Sequence, residues 1–158
     1  MPTLLETVAG YLQSEDWGFE TDLENGVLRG SVNGDNATLS WYVGVIETED
    51  INSVRAFAKL PINILEARRP AIAELLIRIN SRVGNGNFEL DFEDGVVRCG
   101  IVLDIMDGTL TQTMFMRMFM LSLQACDYYF PTIMGVIYGG TAPELALEML
   151  DGGGEVRQ

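Results

Sequence analysis

The chain has 158 residues, 47% of them hydrophobic, and carries 23 acidic against 10 basic side chains for a formal charge of −13. That length suits a single domain with its own core, and the acidity argues against nucleic acid and anionic membranes as partners, because binding phosphates needs a concentrated basic footprint. The sequence contains no histidine. This removes the usual zinc sites, the serine and cysteine triads and the commonest general base near neutral pH, so a non-enzyme without metal or cofactor is expected.

The opening stretch "MPTLLETVAGYLQSEDW" lacks the basic start of a secretory signal. With only Cys99 and Cys126 as thiols, the reducing cytoplasm is the expected compartment. The stretch reads as a helix, because Thr3 and Glu6 form a capping box and Leu4, Leu5, Val8 and Leu12 share one face.

A hairpin follows, and it occurs twice. "FETDLENGVLRG" from Phe19 and "FELDFEDGVVRC" from Phe88 are identical at seven of twelve positions, and each follows a helical pattern. Asn25-Gly26 and Asp94-Gly95 are dipeptides suited to two-residue type I′ turns. Such turns would set Leu23 against Leu28 and Asp22 against Arg29. In the second copy they would set Phe92 against Val97, Leu90 against Cys99, Phe88 against Ile101 and Asp91 against Arg98. The charged pairs read as register-setting surface contacts rather than a site.

Between the two units, "ATLSWYVGVIE" and "SVRAFAKL" alternate as strands. Leu39, Trp41, Val43 and Val45, and then Val54, Ala56, Ala58 and Leu60, form the core-facing sets. "RRPAIAELLIRINSRV" reads as the second helix, with Pro70 in its first turn and a buried stripe of Ile72, Leu76, Ile79 and Val83. Arg68 and Arg69 make a local basic spot without the Gly-rich loop of a phosphate site.

The stretch "MFMRMFM" holds four of the eight methionines, Met114, Met116, Met118 and Met120. Thr109 with Gln112 suggests a capping box, and apolar patterning runs on toward Gly139-Gly140, too far for a strand. In a helix Met114 and Met118 lie on one edge and Met116 and Met120 nearly opposite, so they cannot converge on one ion. Arg117, Gln124, Asp127 and Pro131 break any membrane span. Pro131 should kink or divide the helix, because the Asp127 carbonyl loses its partner. Phe115, Phe119, Leu123, Cys126, Phe130 and Ile133 suit packing on a sheet. The other flank, Met114, Met118, Leu121, Ala125 and Tyr129, has no obvious partner within the chain: it either packs against the first or last helix of the domain or is the candidate protein interface, the reading preferred because unbranched Met side chains adapt to varied partners. Ser122 lacks a base and a nucleophile elbow, so it is expected to bond the preceding turn. "TAPELALEML" reads as a short helix capped by Thr141. Residues 1–151 are expected to form one α/β domain and 152–158 a flexible tail.

The order helix, strands, helix, hairpin, long helix, together with "N-x-x-x-G-x-G-x-F-x-x-D-x-x-D-G-x-V" from Asn80 to Val97, resembles the YbjN-domain family, whose description is that of bacterial sensory transduction regulators. The resemblance runs from about Thr3 to Gly139. It implies a fold similar to the type III secretion chaperones, an α+β two-layer sandwich of an antiparallel sheet and a long C-terminal helix, in acidic, often dimeric proteins that bind polypeptides. No catalytic residues carry over. The resulting expectation is a homodimeric, chaperone-like or regulatory module that binds a partner polypeptide. The alternative is a small-molecule sensor with an apolar pocket between the methionine helix and the sheet.

Overall fold

The computed structural model describes residues 1–152, so 153–158 of the expected tail lie outside the described residues. Among the described residues four α-helices and six strands make a mixed α+β fold: α1 (Leu4–Ser14), β1 (Glu20–Asp22), β2 (Val27–Asn33), β3 (Thr38–Glu47), β4 (Asn52–Asn63), α2 (Arg69–Asn80), β5 (Asn87–Leu90), β6 (Val96–Asp104), α3 (Gln112–Gly139) and α4 (Pro143–Gly152). The strands form one antiparallel sheet in the order β1-β2-β3-β4-β6-β5. The two copies of the repeated hairpin therefore occupy opposite sides of the sheet.

The capping box at α1 forms as read: Glu6 N–H donates to Thr3 Oγ1 at 3.1 Å and Thr3 N–H to Glu6 Oε2 at 2.7 Å. The alternating strands bury the expected face, with Leu39, Trp41, Val43, Val54, Ala56, Ala58 and Leu60 all in the core, and Val45 partly so. Trp41 packs edge-on against Phe119, at 4.9 Å between centroids, and Trp17 closes the same cluster at 4.8 Å from Phe119. Such edge-to-face contacts add to the area these rings bury.

Both hairpin registers differ from the sequence reading by two residues. Glu20 pairs with Arg29, Thr21 with Leu28 and Asp22 with Val27; Phe88 pairs with Cys99, Glu89 with Arg98 and Leu90 with Val97. A type I′ turn needs positive φ at both central residues, but only Gly26 (64°) and Gly95 (77°) adopt it, not Asn25 or Asp94. The loops are instead longer, residues 23–26 and 91–95, and the aspartates shape them. Asp22 Oδ1 accepts from Asn25 N–H at 3.1 Å, and Asp91 Oδ1 accepts from Glu93 N–H at 2.8 Å. Leu23 and Phe92 consequently sit at the loop tips, 78% and 56% exposed, rather than facing Leu28 and Val97. Because the shift is even, every strand residue keeps its face.

The methionine helix is a single helix, not two. Its N-cap is Thr111 rather than Thr109: Thr111 Oγ1 accepts from Met114 N–H at 3.1 Å, while Gln112 reaches Ser14 Oγ at 2.9 Å and Glu15 Oε1 at 3.0 Å. Pro131 does not divide the helix, and the Asp127 carbonyl that it orphans accepts from Asn36 Nδ2 at 3.1 Å. The Asp127 carboxylate in turn accepts from the backbone N–H groups of Asp35 (3.1 Å), Asn36 (2.9 Å) and Ala37 (3.0 Å). This clasp ties the β2–β3 loop to α3. Gly34 is required beside it, since a Cβ there would overlap the Asp127 carboxylate. At the far end Gly140 ends the helix in the left-handed conformation, φ 62°. The closing helix starts at Pro143, and Ala146 N–H donates to Ala142 C=O, so Ala142 rather than Thr141 precedes its first turn.

Candidate protein-interaction surface

The motif running from Asn80 to Val97 is architectural. Asn80 imitates a neighbouring strand for β5, donating through Nδ2 to Phe88 C=O at 3.0 Å and accepting Phe88 N–H at 2.7 Å. Gly86 holds φ 86°, and Phe88 is buried edge-on to Tyr129 at 5.8 Å. Asp94 Oδ1 accepts Val96 N–H at 2.8 Å. At Gly95 a Cβ would overlap the backbone of Ile64, whose N–H donates to the Gly95 carbonyl at 2.7 Å. Arg69, half of the basic spot, also holds this loop, since its guanidinium donates to Ile64 C=O at 2.9 Å and Phe92 C=O at 2.6 Å. Each of these motif positions thus shapes a loop rather than a reaction centre, as buried backbone groups require partners.

Along α3, the sheet-facing side is as read: Phe115, Phe119, Leu123, Cys126 and Ile133 are buried and Phe130 is partly so. Ser122 Oγ lies 2.9 Å from Met118 C=O and 3.3 Å from Ala56 C=O, and Cys126 Sγ donates to Ala58 C=O at 3.4 Å. Small side chains at this crossing let the helix rest on β4. The buried thiol of Cys126 is pushed above its ordinary pKa by its neighbour Cys99 and by burial, which favours the protonated form.

Of the candidate interface residues, Met114 is 43% exposed, and Leu121, Ala125 and Tyr129 are half-buried. Met118 is different: at 5% exposure it belongs to the core cluster, so it cannot present itself to solvent. The buried arc of the helix is wider than an edge-on reading allows, because α1 and α2 flank α3 as well as the sheet beneath it. Met116 and Met120 pack against the core as partly buried side chains. Among the described residues no group of three or more His, Cys, Asp or Glu side chains comes together, and no helix is long and apolar enough to cross a membrane.

A second surface emerges only from the strand order. The helices cover one face of the sheet, and the other carries Arg29, Tyr42, Arg55, Phe57, Lys59 and Arg98 on adjacent strands. Tyr42 and Phe57 stack at 5.1 Å, and Phe57 lies down over Gly100, where a Cβ would overlap its ring. The Arg98 guanidinium sits 5.0 Å above Phe57, donates to Tyr42 Oη at 3.0 Å and pairs with Glu89 Oε2 at 2.6 Å. Burial works against the Arg98 charge, but the bonds to Glu89 and Tyr42 outweigh it and hold its pKa up. Burial also pushes the Tyr42 phenol up, so it stays neutral. Alternation alone places Arg55, Phe57 and Lys59 on one side; the juxtaposition with Arg29, Tyr42 and Arg98 needs the sheet.

Among curated proteins none matches the chain. In fold the chain is similar to the crystal structure of "YbjN, a putative transcription regulator from E. coli", at 18% identity and a TM-score of 0.64, covering 85% of this chain and 91% of that one. It is also similar to the structure of an uncharacterized protein from Methanothermobacter thermautotrophicus, at 14% identity and a TM-score of 0.54, covering 84% and 97%. The model of a family described as "Putative bacterial sensory transduction regulator" matches residues 4–134, from the start of α1 through most of α3. The chain belongs to the YbjN family.

Proposed function

We propose that the protein is a non-catalytic regulatory module that forms a homodimer through one flank of α3 and binds a partner polypeptide. The observation that carries this reading is the incompletely covered apolar flank of that helix. From Met114 through Leu121 and Ala125 to Tyr129 it runs for about 22 Å at the helical rise. Beside it, the core-facing side chains Ile101 and Leu103 of β6 are also only partly covered. Apolar strips of this kind mark association surfaces, and an unbranched Met at one end suits an adaptable contact. The acidic charge argues against nucleic acid as ligand, and two unpaired buried thiols are in keeping with the cytoplasm. Direct hydrogen-bonding contact between α3 and β4 at Ser122 and Cys126 favours this reading over a ligand pocket beneath the helix.

Sedimentation velocity tests the proposal. At micromolar concentration the wild-type chain is expected to sediment as a dimer, and Met114→Glu with Leu121→Glu as a monomer with unchanged circular dichroism. A monomeric wild type, or a double variant that remains dimeric, overturns it.

A further inference from the structure

We propose that the open face of the sheet is the seat for an acidic, extended segment of the partner polypeptide, with an apolar side chain set between its carboxylates. The inference rests on the partner-binding reading above and gives that partner a chemistry.

Positive charge is unevenly placed on the molecule. In a chain of net charge −13 with 10 basic residues, four of those residues, Arg29, Arg55, Lys59 and Arg98, stand on one face of the sheet. Arg29 has Asp22 at 3.4 Å and Arg98 has Glu89 at 2.6 Å. Arg55 and Lys59 have no carboxylate partner among the described residues; their cross-strand neighbours are Gly44 and Val102, and Ser40 and Arg98. The basic residues of α2 are used differently: Arg69 holds loop carbonyls, Arg78 lies beside Glu74 and Glu144, and Arg82 pairs with Asp151. Arg68 and Arg117 stand apart from the sheet, before α2 and on α3. The middle of the exposed sheet thus gathers two unneutralised cations on one strand, flanked by two more that are paired.

The shape fits a peptide. Between Arg29 and Lys59 lies a shallow, mostly apolar depression of about 480 Å³, walled by Val27, Ser40 and Tyr42. It has room for one apolar side chain. Arg55 and Lys59 are four residues apart on β4, about 13 Å at the strand rise. Carboxylates at positions i and i+4 of an extended segment have the same separation; the side chain at i+2 then lies over Phe57, midway between the two cations, and the depression is open to a further apolar side chain of the segment on the Arg29 side. Tyr42, Phe57 and Arg98 are already locked to one another, so little side-chain freedom is lost when the segment arrives.

Two other occupants fit less well. A second copy meeting this face about a two-fold axis would set the same four cations against themselves. A long nucleic-acid strand would run over the carboxylates that border the patch, Glu20 and Asp22 on β1, Glu89 on β5 and Asp104 at the end of β6.

The test is selection of random twelve-residue peptides displayed on phage against the full chain, followed by fluorescence anisotropy of the enriched peptides and of an oligo(dT) probe. Enriched peptides are expected to carry two or more Asp or Glu around an apolar residue. Arg55→Glu with Lys59→Glu should weaken them at least tenfold with unchanged circular dichroism, and added salt should weaken them too. Peptides without acidic bias, or peptides that bind the double variant equally well, overturn this inference while leaving partner binding intact. Failure of any peptide to enrich overturns both. Oligo(dT) binding tighter than the selected peptides reassigns the face to nucleic acid and overturns the proposal.

Discussion

Replacing Asp127 by Ala removes the acceptor for three backbone N–H groups at once, those of Asp35, Asn36 and Ala37. A hydrogen bond to a charged group contributes about 1.5–3 kcal/mol when buried. The bond to Ala37 is partly buried and stands at the low end of that range, while the two at Asp35 and Asn36 face solvent and are discounted to about 0.5–1 kcal/mol each. The total loss is about 2.5–3.5 kcal/mol. In a chain of this size that lowers Tm by roughly 5–10 °C. The loop also loses the geometry that brings Asn36 Nδ2 to the Asp127 carbonyl. Urea denaturation followed by circular dichroism measures the change, with an unaltered slope showing that the unfolded state is unaffected. Asp127→Asn keeps the size and one carbonyl oxygen, so it should lose less, because two of the three N–H groups share the single oxygen Oδ1. A loss under about 0.5 kcal/mol for Asp127→Ala would refute the view that this clasp holds the loop to the helix.

The Asn36 side chain and Pro131 should be energetically coupled: Asn36→Ala is expected to cost about 1 kcal/mol beside Pro131 and close to nothing beside Pro131→Ala, where a helical N–H satisfies the same carbonyl, as a double-mutant cycle would read. Gly95→Ala meets both a positive φ and the backbone of Ile64, so it should destabilise by more than about 2 kcal/mol in equilibrium unfolding, whereas Gly10→Ala, with open space around it, should be neutral or stabilising. Asp22 is held below the ordinary carboxylate value chiefly by the Asn25 side chain, then by the Asn25 backbone N–H. The contact therefore supports the fold above the unfolded pKa near 3.8 and is lost as pH falls through the lower folded value. A carboxyl-detected NMR titration should show that depressed midpoint in the wild type and its return toward 3.8 in Asn25→Ala.

Helix, strand and face assignments were legible because they rest on local periodicity: the Thr3 box, the alternation around Trp41 and the repeated hairpin all reflect neighbours a few residues apart. Hairpin register was not, because Asn-Gly and Asp-Gly serve a two-residue turn and a longer loop ending in a left-handed Gly equally well. The choice fell to Asp22 and Asp91, whose side chains bond inside the loop. The orphaned carbonyl at Asp127 could be deduced from Pro131, but its partner lies 91 residues away in sequence. Met118 escaped for a similar reason. A helical wheel ranks angles, but how wide an arc is buried depends on neighbouring helices. The basic open face needed β6 inserted beside β4, a pairing that no local pattern announces.

The repeated hairpin also decides how the sheet ends. Its outer strands, β1 and β5, are three and four residues long, whereas β3 and β4 inside are ten and twelve. An incoming strand would find only short ladders on β1 and β5, and Asn80 already occupies Phe88 on one of them, while β2 beyond Arg29 and β6 beyond Gly100 continue past their outer neighbours. Edge-to-edge pairing, the hazard of any open sheet, is thereby confined to short segments on both sides, whereas the flat face of the sheet and the flank of α3 present side chains rather than backbone.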